Sequence, residues 1–402
     1  MLNNTQIITN VYKILILPFF LMLALGPYPL KIFGFLIDHI ATLLLAIVCF
    51  LSLIKNSRKQ ITSLDMILIV YLFSIVPSII SSKDFDLSFE RYIISLGYSA
   101  IFISITKINF TPANYRLLFY TSLVSVISIS ILILSLYFYG NYTLDSRFAV
   151  ASDYQSLAAE GHSTDSGAVD PNMTAMGMVL LFAFCLPGLI SIRNNKTRRH
   201  MILLFFIITL MLCVLLNSRT GQISTLIISL IICFSKKSIS FADKNWLAIN
   251  FLILLLLFSA YSLYDIYITS ITDRYTDMFE NERGENGRID LLTRAVETFF
   301  STTKNIWAGD GYMIWNPHNV YVEHFVNSGF ITGILNLILL SGLYFRCVKI
   351  AIKKIGSPVF VNVMMIPFLF MLTTYGHTKT FWVGLAFTWI LANINFQQVW
   401  KL

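Results

Sequence analysis

The chain has 402 residues, of which 56% are hydrophobic and only 12% charged, with a mean hydropathy of +0.72. A water-soluble domain of this length cannot hide that much apolar surface, so the composition excludes an ordinary globular enzyme and indicates a polytopic membrane protein. The net charge of +8 does not point to nucleic acid, because Lys and Arg in a membrane protein report which loops stay cytoplasmic.

A hydrocarbon core of about 30 Å needs roughly 20 helical residues. Apolar runs of that order lie near 11–30, 33–54, 64–82, 91–108, 115–139, 172–192, 201–217, 221–235, 246–264, 319–345, 357–375 and 379–396, which predicts twelve spans. The first run ends in Pro27, Tyr28 and Pro29 instead of a small-residue cleavage site, so it reads as a spanning helix and not a signal peptide. Cys49, Cys185, Cys213, Cys233 and Cys347 lie in or beside apolar runs, with no disulfide framework or metal-binding spacing. With a cytoplasmic N-terminus, the short connections 55–63, 107–116, 193–200, 235–245 and 346–356, with Lys13 and Lys401, hold 18 of the 29 basic residues. Both termini are therefore expected in the cytoplasm and the two long polar segments, 140–171 and 265–318, outside it. No repeat or linker divides the chain, and residues 1–402 read as one membrane domain.

In the first outer segment Arg147 stands among acids and hydroxyls, and Pro171-Asn172 opens the sixth span. A solvated loop arginine and a ligand-binding one both fit. The turn Asn217-Ser218-Arg219-Thr220-Gly221 is so short that Arg219 must stand at the outer interface, either snorkelling to headgroups or facing a lipid-linked phosphate. The second outer segment mixes Arg274, Arg283, Arg288, Arg294 and Lys304 with many acids, normally a solvated surface. Residues 286–301 read as an amphipathic helix with an apolar stripe of Leu291, Leu292, Ala295, Val296, Phe299 and Phe300. Arg288 falls on that stripe while Asp290, Arg294 and Glu297 fall opposite, so Arg288 requires an anionic partner, carboxylate or ligand.

The stretch from Asn316 to Gly333 runs from polar to strongly apolar and should begin at the outer membrane surface. His318 at that junction is either a hydrogen-bonded neighbour of a helix cap or a proton-transfer group. Gly329 and Gly333 have the small-xxx-small spacing of close helix packing. Weaker signals are the acid pair Asp84 and Asp86 after the third span, Asp38 with His39, and His377 with Lys379.

Taken in order, Arg147, Pro171-Asn172, the Ser-Arg-Thr-Gly turn at Arg219, Arg274-Tyr275, Gly287-Arg288, Gly309-x-Gly311 and His318-Asn319 with Gly329 and Thr332 resemble the O-antigen ligase and polymerase superfamily of bacterial envelope enzymes. The resemblance covers most of the chain; its most specific part is His-Asn, nine residues, Gly, two residues, Thr. It implies an all-α membrane protein similar to GT-C-type glycosyltransferases, in the bacterial inner membrane, with about 12 transmembrane helices and two structured periplasmic loops. It also implies inverting glycosyl transfer at the periplasmic face with no metal and no cofactor. The donor would be a glycan on undecaprenyl pyrophosphate, and the acceptor lipid A-core for a ligase or a second lipid-linked glycan for a polymerase. The histidine motif favours the ligase, and other envelope polysaccharide assembly proteins are possible partners. Arg219 and Arg288 would hold the pyrophosphate, since arginine stays charged and binds phosphate in a bidentate fork. His318 would orient or deprotonate the attacking hydroxyl, and Arg147, Arg274, Asn172 and Asn319 would contact substrate. A lipid-linked oligosaccharide flippase is the rival class; it is expected to line a midplane path with ionisable groups, whereas the arginines and the histidine here gather at one face.

Overall fold

The computed structural model describes residues 31–32, 35–36, 47, 62–107, 110–139, 171–216, 218–234, 245–253, 285–312, 320–370 and 379–396. Among these, β structure is confined to a two-residue antiparallel pairing of β1 (Lys31–Ile32) with β2 (Phe35–Leu36). Most of the rest is helical: α1 (Ser63–Ile80), α2 (Phe85–Lys107), α3 (Pro112–Tyr139), α4 (Pro171–Ile190), α5 (Asn195–Leu215), α6 (Arg219–Phe234), α7 (Glu285–Phe300), α8 (Thr303–Ala308), α9 (Val320–Ile355), α10 (Val359–Phe370) and α11 (Lys379–Asn393), with residues 245–253 helical as well. Four helical stretches, Ser63–Ile80, Pro112–Ile131, Asn195–Leu215 and Tyr321–Ile355, are long and apolar enough to cross a membrane.

Two groups of helices form the bundle. In one, α4 packs against α3, α5, α6, α10 and α11. It is apolar on every side, and its residues from Ala175 to Leu189 are all buried, as a helix with no polar face must be. Pro187 lacks an amide for the helical ladder. Beside it, the Tyr115 hydroxyl donates to the Phe184 carbonyl at 2.8 Å and accepts from the Gly188 amide at 3.0 Å, bridging the opened turn. In the other group α9 lies against α1 and α11, and α11 against α2. Thr332 fixes the first of these contacts by donating to the Ser74 carbonyl at 2.9 Å.

Charged groups close one end of this second group. Thr62 and Asp65 form a capping box at the start of α1, and the buried Asp65 carboxylate also pairs with Lys107 at the end of α2. Lys107→Ala leaves that carboxylate in a low-dielectric site without its cation. We expect a loss of about 3 kcal/mol, seen as a lower unfolding midpoint of the purified protein. At the opposite end of α1, Lys304 donates to the Ser81 carbonyl at 2.7 Å and Lys83 lies 3.6 Å from Asp310. The segments joined there, 81–84 and 301–312, are two that the charge distribution assigns to one side of the membrane.

The structure departs from the sequence expectations in several places. Residues 346–355, expected as an inner loop, continue α9 as helix; Arg346 packs 5.5 Å from the Trp389 ring and Lys354 donates to Asn393 Oδ1 at 3.0 Å. Basic residues of this kind favour the helix and complement the negative end of its dipole. Asp84, one half of the acid pair, caps α2 by accepting from the Leu87 amide at 3.0 Å. The second polar segment contains the additional short helix α8. Gly329 does more than allow close packing: with φ 84° and ψ 175° it breaks α9 into two pieces.

Candidate functional site

The second polar segment is built onto the side of α9. Ala295 and Phe299 of α7 are buried against Val326, with Val322, Phe325 and Ile306 around them. At the turn into α8, Thr302 caps the helix by accepting from the Asn305 amide at 3.1 Å. The Asn305 side chain donates to the Thr298 carbonyl at 2.9 Å and to Ser301 Oγ at 3.0 Å. The Thr298 carbonyl near the end of α7 thus finds a partner inside the protein, as buried helix ends require.

Two glycines lock the next step. The break at Gly329 frees the carbonyls of Val326 and Asn327, which an unbroken helix would bond to the amides four residues on. The amides of Asp310 and Gly311 take their place, at 3.0 Å from Val326 O and 3.2 Å from Asn327 O. For this contact the two backbones must approach closely. A Cβ at Gly309 would lie 2.2 Å from the Asn327 carbonyl oxygen, and one at Gly329 would lie 2.2 Å from that of Trp307. Both glycines also hold positive φ, 75° and 84°, which a side chain disfavours.

Beyond this junction the chain turns into the bundle. Tyr312 is fully buried, its hydroxyl 2.8 Å from Ser95 Oγ near the middle of α2, its ring edge-on to Tyr92. Burial pushes its phenol well above the ordinary range, so it stays a neutral hydrogen-bonding group. Glu323, His324, Asn327 and Ser328 on the first piece of α9 are all buried. His324 Nδ1 lies 3.4 Å from the Tyr71 hydroxyl, with the rings edge to face. Among the described residues, His324 Nε2 and Ser328 Oγ have no hydrogen-bond partner. Adjacent ionisable side chains inside an apolar helix are costly and mark functional regions by default. This cluster ties α1, α2, α9 and the 309–312 segment together, so it can hold the start of α9 in a fixed orientation. Tyr312→Phe leaves the buried Ser95 hydroxyl without that contact and is expected to cost about 1–2 kcal/mol. Adding Ser95→Ala to it should recover part of the loss in thermal unfolding.

The candidates from sequence fall around this cluster. His318, Asn319, Arg147 and Arg274 lie outside the described residues. Arg219 is the first residue of α6, Asn172 the second of α4, and Arg288 lies in the first turn of α7; these three are described by backbone alone. Arg288 stands seven residues before Ala295 and eleven before Phe299, on the helical line that packs against α9. The described residues nearest His318 on either side are both in contact with the bundle. Tyr312 is buried in the bundle, and the half-buried Tyr321 donates to the Phe368 carbonyl at 3.3 Å. Glu323, His324, Tyr71, Tyr312 and Ser95 escaped sequence reasoning. The available signal was an acid and a histidine side by side in an apolar run.

The chain matches no protein-family model and no curated protein.

Proposed function

We propose that this protein is an inner-membrane glycosyltransferase of the O-antigen ligase and polymerase type, with twelve spans and its site on the periplasmic side. It moves a glycan from undecaprenyl pyrophosphate to a sugar hydroxyl of lipid A-core. The ordered motifs ending in His318-Asn319, Gly329 and Thr332 motivate the reading. The observation that carries it is the docking of α7, the helix of Arg288, on α9, the helix that His318 precedes. Two groups from separate parts of the chain are required by the reaction, and their helices pack on each other.

In this mechanism Arg288 and Arg219 neutralise the pyrophosphate and the charge that develops as it leaves. His318 orients the acceptor hydroxyl or takes its proton. The oxygen attacks the anomeric carbon opposite the departing phosphate, the glycosidic bond to pyrophosphate breaks, and the configuration inverts. Arg147, Arg274, Asn172 and Asn319 contact donor or acceptor.

The test is reconstitution of the full chain in vesicles with an undecaprenyl-pyrophosphate glycan, offered lipid A-core and a second lipid-linked glycan as competing acceptors. Extension of lipid A-core supports the ligase. Growth of the lipid-linked glycan alone assigns a repeat-unit polymerase instead. No glycan transfer to either acceptor would overturn the reading.

A further inference from the structure

Helix α7 has three faces, and among the described residues protein covers only one of them. Taking about 100° per residue, Ala295 and Phe299 occupy an arc of about 40°, Leu292, Val296 and Phe300 the adjoining arc of about 80°, and Thr293, Arg294 and Glu297 the arc of about 100° beyond. The first arc is buried on α9. The second is apolar yet open: Leu292 is 36% exposed, Val296 43% and Phe300 66%. The third is exposed and polar. A helix in water against a protein needs two faces; an apolar face between the protein side and the water side calls for a third neighbour.

The exposed arc is continuous with the outer flank of a helix apolar enough to span a membrane. Rings connect them: Phe300 to Phe299 at 4.9 Å between centroids, Phe299 to Phe325 at 6.2 Å, and Phe325 to Phe330 at 6.2 Å. Phe330 is exposed and belongs to the span Tyr321–Ile355. Depth agrees with this. Lys304 of α8 donates to the Ser81 carbonyl just past the end of α1, so the α7–α8 segment meets the bundle at the end of a helix long and apolar enough to span. Trp307, 58% exposed on α8, is the amphipathic ring that gathers at the boundary of hydrocarbon and water.

We infer that the occupant of this face is bilayer lipid. Helices α7 and α8 form an interfacial platform, with Leu292, Val296, Phe300 and Trp307 in the acyl boundary and Arg294 and Glu297 in the aqueous phase. The polar segment between two spans is thereby a membrane-seated element and not a solvated loop. The platform sets the depth of the Arg288 turn at headgroup level, and it stands whether or not the chain transfers glycans.

The experiment is site-directed spin labelling of the full chain in phosphatidylethanolamine and phosphatidylglycerol vesicles, with the unsubstituted protein as background. Val296→Cys and Phe300→Cys labels should be reached by oxygen in preference to a water-soluble nickel chelate. Arg294→Cys and Glu297→Cys labels should show the reverse. Chelate access dominating at all four positions would make α7 a solvated helix and overturn the inference. Exclusion of both reagents at Val296 and Phe300 would also overturn it, giving the face to protein such as a second copy. As a check without cysteine, brominated phospholipids should quench a fluorescence component that Trp307→Phe removes. An unchanged quenching profile in that variant would count against the platform.

Discussion

His318→Ala and Arg288→Ala are each expected to abolish measurable glycan transfer in reconstituted vesicles while both proteins still insert and purify as folded material. Removing a group that stabilises charge only in the transition state lowers a rate by about 10²–10³-fold, and a general base contributes about 10²–10⁴-fold. The initial rate of transfer from a radiolabelled lipid-linked glycan reads both. Arg288→Lys distinguishes charge from shape. Lysine keeps the cation but loses the planar fork that grips two phosphate oxygens, so this variant should recover part of the rate with a weakened donor affinity. An arginine that merely balances a structural carboxylate would be replaced by lysine without loss of rate. Full activity in purified His318→Ala and Arg288→Ala together would end the mechanism.

What could be read from sequence followed the physics each signal reports. The bounds of α7 were expected at 286–301 and are Glu285–Phe300, because an amphipathic period is a local property. The apolar stripe correctly selected Ala295 and Phe299 for burial. It did not separate them from Leu292, Val296 and Phe300, because hydrophobicity does not distinguish a protein neighbour from lipid. The extension of α9 to Ile355 was hidden for a related reason. Hydropathy marks where a helix leaves an apolar region, not where its backbone stops, and Lys349, Lys353 and Lys354 are good helix formers. The buried cluster of Tyr71, Ser95, Tyr312 and His324 joins residues up to 253 positions apart, and no local pattern encodes such pairings. Gly329 was visible as a conspicuous glycine, but its conformation depends on Trp307 lying against it.

That dependence leads to the second large effect. Gly329→Ala should undock α7 and α8 from α9. The conformation at 329, φ 84° and ψ 175°, belongs to a region that is essentially restricted to glycine, and a non-glycine residue held there costs about 1–3 kcal/mol. The added Cβ would also lie 2.2 Å from the Trp307 oxygen and 2.4 Å from its carbonyl carbon, which are backbone atoms without a rotamer to escape into. Two responses remain. α8 withdraws and the bonds from the Asp310 and Gly311 amides are lost, or α9 straightens, rewards alanine as a helix former by about 1 kcal/mol, and reclaims the carbonyls of Val326 and Asn327 for itself. Both expel the 309–312 segment, so proteolysis of residues 285–312 in vesicles should accelerate, by about 100-fold at 3 kcal/mol, and transfer should fall with it. Gly342→Ala, farther along α9, is the control: a Cβ there would meet nothing within 4 Å, so protection should be kept. Gly309→Ala strains the same junction from the other strand. If one contact is being broken from two sides, the double variant with Gly329→Ala should be little worse than either single one; additive losses, or a protease-resistant and active Gly329→Ala protein, would show that α7 is held to α9 by its apolar face alone.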